Sequence, residues 1–331
     1  MATIKDVAKL AGLSITTVSR YLNNHPYITE EKRESIQRAM EELDYVPSSV
    51  ATTLRSNKGK MIGILVSRIT NPYFSYLIDA VEKEVKANGY TLLIVQTYDD
   101  KGAELKMFEM LRQKLINGII MCSIECSDMI DIYSKYGPIV VCNQRVESKE
   151  AHQITTDQEG ITSEAIKYLF SKGKRKIAYC TGGTFNEKGH GTLRNKGFKS
   201  AMKELSLEID SRVIFENIHT VEDGYMVAQN LLRNEKSVWP DAIFTGSDEV
   251  ASGVINYLMR NGKKVPEDIA VMGFDNQPFS SMTAVPITTV EQPLESLGKE
   301  AARMMMSLLN KEVYKVKKDK LVLKIVERES V

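Results

Sequence analysis

From residue 61 onward, short apolar runs alternate with amphipathic segments, and this alternation limits the possible folds more than any other feature. Continuous apolar runs are typical of parallel strands covered on both faces, and segments of helical period between them indicate crossover helices. The sequence therefore predicts an α/β fold with parallel sheets. The apolar runs are 61–67, 91–97, 118–123, 138–143, 176–182, 212–217, 242–247 and 269–274. The predicted helices between them include 73–88, 102–115, 160–172, 192–205, 221–233 and 249–261.

These strand–helix units divide into two sets near residues 155–160, where a helix begins the second set. We therefore expect two parallel-sheet subdomains side by side, with a cleft between them, in one bilobal domain. The tail adds one more helix and a last strand. We assign 61–160 and 291–320 to the N-subdomain, and 161–290 and 321–331 to the C-subdomain.

The first 46 residues have a different pattern, that of three short helices. Thr3 and Asp6 have the spacing of a capping box, Gly12 permits a tight turn, and Ser14 and Thr29 can cap the next two helices. Two helices joined by such a turn fit a helix-turn-helix, so the segment is predicted to be all-α. The apolar stripes are Ile4, Val7, Ala8 and Ala11, then Val18 and Leu22, then Ile36, Ala39, Met40 and Leu43.

The outward face of the second helix carries Ile15, Thr16, Ser19 and Arg20. In a helix-turn-helix the second helix lies in the DNA major groove. Short side chains such as Thr16 permit close approach, Ile15 suits a thymine methyl, and Arg20 can make a bidentate contact with guanine. The pattern favours a DNA-reading headpiece over a plain three-helix bundle with a solvated polar face.

A connector follows the headpiece. Pro47 ends the third helix, and the residues after it can form a short helix over 50–54 before a polar, basic stretch. We assign 1–46 to the headpiece and 47–60 to the hinge helix and linker. The connector is either a tether or a hinge helix lying on DNA, where Leu54 can insert between base pairs from the minor groove.

The segments "TIKDVAKLAGLSITTVSRYLN" and "YVPSSVATTL" resemble the N-terminal region of the LacI/GalR family of bacterial transcriptional regulators. The hinge differs from the family pattern, with Ser48 for the usual Asn and Thr52 for the usual Arg. The resemblance implies DNA contacts, with Ile15, Thr16 and Arg20 reading bases and Leu54 intercalating. The full predicted DNA-binding set is Thr3, Ile15, Thr16, Thr17, Ser19, Arg20, Asn23, Leu54 and Arg55.

Polar and aromatic residues follow several of the predicted strands, where ligands of open α/β sheets lie. Aromatic faces with carboxylates, amides and guanidinium groups form a recognition set suited to sugar-like ligands. Any one of these residues alone fits a cap, a salt bridge or a surface position equally well. The candidates are Tyr73, Phe74, Asn143, Arg145, Arg194, Asp248 and Asp275.

The segments "NPYF", "TDQEG", "TLRNKGF", "GSDEVASG", "VPEDIAVMGFDN" and "TTVEQP" are similar to signatures of that family's effector domain, whose fold resembles the periplasmic sugar-binding proteins. The resemblance maps effector contacts to Arg194, Asp248 and Asp275, and to Tyr73 and Phe74. The segment "VCNQR", with Asn143 and Arg145, departs from the commoner form that ends in Ile-Asp-Arg.

The resemblance also implies a repressor of carbohydrate genes, controlled by a small sugar, sugar phosphate or sugar acid. It implies a homodimer on near-palindromic operator DNA. "NHPYITEEKR" and "SDEVASG" resemble the catabolite-control members, which use a protein co-regulator. The alternative is a cytoplasmic sugar-binding protein whose DNA binding is controlled mainly by such a co-regulator.

Other classes fit less well. The chain contains neither a G-x-G-x-x-G motif nor a P-loop, and no Ser-His-Asp order is suggested, so we expect no enzyme. A periplasmic binder needs a signal peptide, whose layout the first residues lack, and no run approaches a membrane span, so we expect a cytoplasmic protein.

The four cysteines are irregularly spaced and the histidines scattered, so we expect no metal site and no cofactor. The net charge of +1 does not by itself indicate a polyanionic partner.

Overall fold

The computed structural model describes residues 2–22, 25–45, 60–186 and 191–331. The chain divides into two compact units, Met1–Gly59 and Lys60–Val331. The hinge helix predicted over 50–54 lies outside the described residues, as do the predicted DNA contacts Asn23, Leu54 and Arg55. Within the described ranges, no helix combines the length and apolar character needed to cross a membrane.

The N-terminal unit contains helices α1 (Ile4–Leu10), α2 (Ile15–Leu22) and α3 (Glu30–Glu42). Its small core is made by the predicted stripes, with Val7, Ala8, Val18, Ile36 and Ala39 buried. Such short helices are marginal alone, so this shared core and the helix caps hold them.

The turn between α1 and α2 follows from its sequence. Gly12 has φ +64, in the region that glycine adopts without strain. The Ser14 hydroxyl accepts a hydrogen bond from the Thr17 amide at 3.1 Å and so caps α2. The Ser35 hydroxyl of α3 donates to the Ala11 carbonyl oxygen at 3.1 Å, which ties α3 to the turn. The helix-turn-helix is therefore fixed by local caps as well as by its core.

The second unit begins with a five-stranded sheet in the order β2-β1-β3-β4-β5. Its strands, β1 (Met61–Val66), β2 (Thr91–Gln96), β3 (Gly118–Met121), β4 (Ile139–Cys142) and β5 (His152–Ile154), are all parallel. Helices α4 (Pro72–Ala87), α5 (Lys101–Arg112) and the short α6 (Ile130–Tyr133) connect them. This sheet and its helices form the first lobe.

The second lobe contains a six-stranded sheet in the order β11-β10-β9-β8-β6-β7. Its strands are β6 (Ile177–Cys180), β7 (Ile214–Phe215), β8 (Ala242–Phe244), β9 (Ala270–Asp275), β10 (Thr288–Glu291) and β11 (Lys324–Val326). The pairs are parallel except β10 with β11. Its helices are α7 (Gln158–Ser171), α8 (Thr192–Glu204), α9 (Val221–Arg233) and α10 (Asp248–Arg260).

The chain passes between the lobes at three places in the described ranges. It leaves β5 for α7, and it leaves β10 for α11 (Leu294–Asn310), which packs on the first lobe. It returns between Leu321, in the first-lobe core, and Leu323, in the second-lobe core. The carboxyl ends of both sheets therefore meet at one cleft.

Two strands escaped the sequence pattern, and one is shorter than predicted. The segments that form β5 and β10 are only three and four residues long, and neither contains a continuous apolar run. The run 212–217 forms a strand only at Ile214–Phe215, because Ser211–Val213 is a 3-10 turn. The mostly parallel two-sheet fold class is confirmed.

Helices α9 and α10 cross with their backbones in close contact at Gly224 and Gly253. A Cβ on Gly253 would lie 2.1 Å from the Val221 carbonyl oxygen, and one on Gly224 would lie 2.3 Å from that of Val250. Both obstacles are backbone atoms, so the helices themselves would have to separate.

We expect Gly253→Ala to lower the free energy of unfolding of the second unit by about 2 kcal/mol, since overpacking typically costs about 1–3 kcal/mol. Urea denaturation followed by circular dichroism measures this. The control is Asn230→Ala at an exposed position of α9, which should change stability by less than about 0.5 kcal/mol. Equal stability of the two variants would show that the crossing can relax.

Candidate functional site

A cavity of about 1080 Å³ lies between the two lobes. Residues at the carboxyl ends of both sheets line it, as expected for an α/β protein. Six of the seven predicted effector residues come together there, namely Tyr73, Phe74, Asn143, Arg145, Arg194 and Asp275. Asp248, the seventh, is not among the lining residues.

Tyr73 and Phe74 form an aromatic pair in the first lobe. The Asn71 side-chain oxygen accepts from the Tyr73 amide at 2.9 Å and caps α4, and Pro72 occupies the first helical position. The two rings are 5.0 Å apart and 81° to each other. This helix start therefore presents two ring surfaces to the cavity. Burial raises the pKa of the Tyr73 hydroxyl well above its ordinary value, so it stays protonated.

Arg194 is held in one orientation at the start of α8. Its guanidinium carbon lies 3.6 Å from the centroid of the Phe274 ring. Its Nε donates to the Gln158 side-chain oxygen at 2.7 Å, and its Nη1 donates to the Gly246 carbonyl oxygen at 2.8 Å. Stacking together with two hydrogen bonds pre-organises the planar group for a polar ligand.

Asp275 ends β9 with φ +104, and its carboxylate is almost fully buried. Gln292 Nε2 donates to Oδ1 at 2.6 Å, and Gln277 Nε2 lies 3.4 Å from Oδ2. Burial raises the pKa of Asp275 to about 6, while the charge of Arg194 opposes that rise. At neutral pH the side chain is therefore mostly an anionic acceptor at the cavity wall.

An amide cluster of Asn143, Gln158 and Gln292 connects these groups. Asn143 Nδ2 donates to the Tyr73 hydroxyl at 2.8 Å and to Gln292 Oε1 at 2.9 Å. Gln158 Nε2 donates to the same Gln292 oxygen at 3.1 Å, while Gln158 Oε1 accepts the hydrogen bond from Arg194 Nε. Both glutamines lie at lobe crossings, so hydrogen bonds link Tyr73 of the first lobe to Arg194 of the second.

Gln158 and Gln292 were missed as site residues by sequence reasoning. They lie within "TDQEG" and "TTVEQP", two of the quoted family-like segments. The family resemblance of those segments could therefore have pointed to these two glutamines. Their contact could not be predicted from residue spacing, because they are 134 residues apart in the chain.

Asp248 lies behind the cavity wall, fully buried, as the first residue of α10. Its Oδ1 accepts from the Thr289 hydroxyl at 2.5 Å, and its Oδ2 accepts from the Gln277 amide at 2.7 Å. A Cβ on Gly273 would lie 2.1 Å from Oδ1, so glycine is needed beside it. Burial first, and the charge of Asp275 second, raise the pKa of Asp248 to about 8. The carboxyl group braces the loop after β9.

Arg145 lies at the cavity rim and is exposed. It also borders an adjoining chamber of about 260 Å³, together with Gln153 and Leu193. Because these three residues also line the main cavity, the chamber adjoins it and adds volume for a ligand on the Arg145 side.

In the N-terminal unit, α2 presents the face predicted from its sequence. Val18 is fully buried, whereas Ile15 is 43% exposed and Thr16 and Arg20 are exposed. Thr17 and Ser19 are partly buried, and Thr17 contacts the Ser14 hydroxyl at 2.9 Å.

Thr3 caps α1. Its amide donates to Asp6 Oδ2 at 2.8 Å, and this threonine's hydrogen bonds lower the pKa of Asp6.

The exposed residues of α2 form a small polar surface with one guanidinium group, which has the chemistry for base-edge contacts.

Two family models match the chain. The model described as "Bacterial regulatory proteins, lacI family" matches residues 3–48, and the model "Periplasmic binding protein-like domain" matches residues 166–331.

Curated relatives span the full length. The regulator of the NTD biosynthesis operon, NtdR, of Bacillus subtilis is 38% identical over all of both chains. The transcriptional repressor PurR of Vibrio campbellii is 36% identical over all of this chain and 99% of that protein.

Solved structures agree with the fold. A LacI-family regulator from Lactobacillus casei with bound sucrose has a TM-score of 0.78 and 39% identity, covering 82% of this chain and 99% of that one. The lac repressor dimer bound to operator has a TM-score of 0.77 over 99% of this chain and 98% of that one, at 22% identity, a likeness of fold alone. With a helix-turn-helix, a two-lobed ligand domain and relatives of this similarity, the chain belongs to the LacI family of bacterial regulatory proteins.

Proposed function

We propose that this regulator represses genes of carbohydrate metabolism and responds to a small sugar, sugar phosphate or sugar acid in the interlobe cavity. The observation that carries the proposal is the pairing of Tyr73 and Phe74 with Asp275 and Arg194 around one cavity, in a chain with a DNA-binding unit. The Lactobacillus casei relative was crystallised with sucrose and with glucose, which supports a sugar ligand. The relatives are regulators, and we propose no catalytic role and a cytoplasmic location.

In this proposal the ligand bridges the lobes. The rings of Tyr73 and Phe74 pack against the apolar face of a sugar ring. The Asp275 carboxylate accepts from sugar hydroxyls, and the Arg194 guanidinium donates to hydroxyl or acidic oxygens. Arg145 at the rim supplies a second cation for a phosphate or carboxylate.

Ligand contact with both lobes favours closure of the cleft, which is an ordinary hinge transition. We propose that closure changes the spacing of the two headpieces in a dimer, and so changes operator affinity. The amide cluster spans two of the lobe crossings, so its hydrogen bonds must adjust when the lobes move.

A homodimer fits both the operator and the surface of the first lobe. One headpiece reads one half-site, so a two-fold dimer reads a near-palindrome. Exposed apolar side chains lie on and around the edge strand β2, which suits burial against a second copy. They are Ile69, Tyr76, Ile94, Tyr98 and Leu105.

We propose that the operator is contacted by residues of the headpiece and the connector. They are Thr3, Ile15, Thr16, Thr17, Ser19, Arg20, Asn23, Leu54 and Arg55.

Arg20→Ala should weaken specific operator binding by about 10-fold or more, because a bidentate guanine contact contributes about 1–3 kcal/mol. Fluorescence anisotropy with operator and with scrambled duplex measures the effect. The control is Arg38→Ala, an exposed arginine of α3 that pairs with Glu34. Equal loss on both duplexes would assign Arg20 to phosphate rather than to a base.

Asp275→Asn should weaken binding of the responding sugar by about 10- to 100-fold, since hydrogen bonds to charged groups contribute about 1.5–3 kcal/mol. Operator affinity without ligand should stay unchanged. A thermal-shift screen of sugars, sugar phosphates and sugar acids finds the ligand, and isothermal titration gives its affinity. Asp319→Asn, at an exposed position, is the matched control. An unaltered sugar affinity in Asp275→Asn would place the pocket elsewhere.

We propose that Asp248 supports the pocket without touching the ligand. Its pKa is raised to about 8 in the fold, so the proton is held more tightly than in the unfolded chain. This term therefore favours the fold at low pH and is lost as pH rises through about 8. The melting temperature should fall between pH 6 and pH 9, and Asp248→Asn should reduce that fall. An identical pH dependence in both proteins would mean that Asp248 is not the titrating group.

A further inference from the structure

We propose that one end of the first lobe binds the phosphate backbone of the DNA to which the headpiece is bound. This end, here called the basic end face, carries Lys60, Lys86, Arg112, Lys114, Lys135 and Lys311. This proposal rests on the proposed function, in which the headpiece of this protein binds operator DNA. It adds a second DNA-contacting surface outside the headpiece.

The strands of the first-lobe sheet begin at this end. Met61 pairs with Thr91, and Ile62 pairs with Gly118, at the starts of three parallel strands. The Thr91 amide donates to the Lys60 carbonyl oxygen at 2.7 Å, and the Asn117 amide donates to that of Met61 at 2.8 Å. Lys60 is therefore fixed to the sheet by its own backbone.

Helices α4 and α5 end here as well, because each returns the chain to the start of the next strand of this sheet. Lys86 lies in the last turn of α4 and Arg112 in that of α5, with Lys114 just beyond. Lys311 follows α11, whose Met305 packs against Gly118 at the start of β3. Helix ends thus collect basic side chains on one face.

Contacts place Lys60 beside the end of α4, and Lys114 beside Lys135. The Lys60 ammonium lies 5.6 Å from the centroid of the Tyr90 ring, and that of Lys135 lies 5.1 Å from the Tyr136 ring. The Lys114 ammonium donates to the Tyr136 carbonyl oxygen. The lysines are nevertheless exposed, so their charges face solvent.

The basic end face is positive in a chain that is nearly neutral. Its segments, 60, 84–90, 109–118, 134–138 and 308–312, contain six basic and three acidic residues, a net charge of +3. Glu84 pairs with Arg303, Glu109 pairs with Arg112, and Lys86 pairs with Glu82 in the preceding turn of α4. The whole chain carries only +1, so this face is more positive than the chain average.

Covalent connection selects DNA as the partner. Lys60 follows directly on residues 46–59, which join this unit to the headpiece. A segment of that length spans at most about 50 Å even when fully extended, so the bound duplex is within reach of the basic end face. Duplex DNA carries one negative charge per about 1.7 Å of axis, which makes it a polyanion within reach.

Lysines near helix ends also stabilise their own helices by interacting with the helix dipole. That role predicts no dependence of DNA binding on these residues. It also applies equally to the second lobe, whose helices end in Lys203, Arg233 and Arg260. The second lobe therefore offers a matched control of the same chemistry.

The test compares two quadruple variants of the full chain. The first is Lys86→Gln, Lys114→Asn, Lys135→Gln and Lys311→Asn, with asparagine at the two positions of positive φ. The control is Lys203→Gln, Arg233→Gln, Arg260→Gln and Lys263→Gln, which removes the same charge. Affinity for operator and for scrambled duplex is measured by anisotropy over a range of potassium chloride concentrations.

We expect the first variant to bind both duplexes about 10-fold more weakly at about 0.1 M salt, with a salt slope smaller by about two or more. Phosphate contacts carry no sequence information, so the preference for operator over scrambled duplex should stay unchanged. The control variant should match the unsubstituted protein. Melting curves and sugar binding verify that both quadruple variants fold. If the first quadruple variant does not fold, the single variants Lys86→Gln and Lys135→Gln are measured instead.

Equal salt slopes for the two variants would overturn the proposal. Unchanged DNA binding with lost repression in cells would assign the basic end face to an acidic protein partner, which also overturns it. If the unsubstituted protein bound no operator at any salt concentration, the proposed function itself would be contradicted.

Discussion

The cleft depends on the hydrogen-bonded amide cluster of Asn143, Gln158 and Gln292. Buried polar side chains are costly unless their partners are supplied, and here each amide satisfies another. The cluster sits where the chain crosses between the lobes, so satisfying it fixes how the carboxyl ends of the two sheets approach. Tyr73 and Arg194 are each bonded to it, and Asp275 accepts from Gln292. The positions of the ligand-facing groups therefore follow from one buried network.

Two aspartates close together in the second lobe have different roles because their surroundings differ. Asp275 reaches the cavity wall, where the charge of Arg194 partly offsets the rise in its pKa. Asp248 lies deeper and feels the charge of Asp275, so its pKa is raised further. In our proposal the outer carboxylate accepts hydrogen bonds from the ligand near neutral pH, and the inner carboxyl group, mostly protonated, supports the loop after β9.

The two units obtain their stability in different ways. The N-terminal unit has a small core, and caps at Thr3 and Ser14 hold helices too short to be stable alone. The second unit buries two parallel sheets, and close backbone crossings such as that at Gly253 define its helix packing. Lys60, the first described residue of the second unit, belongs to the basic end face, which in our proposal binds the same DNA as the headpiece.

Patterns along the chain were enough to predict the local structure: the helix stripes around Val18 and Ile36, the capped turn at Gly12, and the apolar runs of the longer strands. These follow from periodicity and backbone preference within a few residues, as does the exposure of Thr16 and Arg20 on α2. Only the tertiary structure decided that Asp248 lies behind the wall while Asp275 lines it, since both follow a strand in the same way. It also decided that Gln158 and Gln292 meet and that lysines from five distant segments share one end. Those outcomes depend on how the sheets stack and where the chain crosses, which no local pattern encodes.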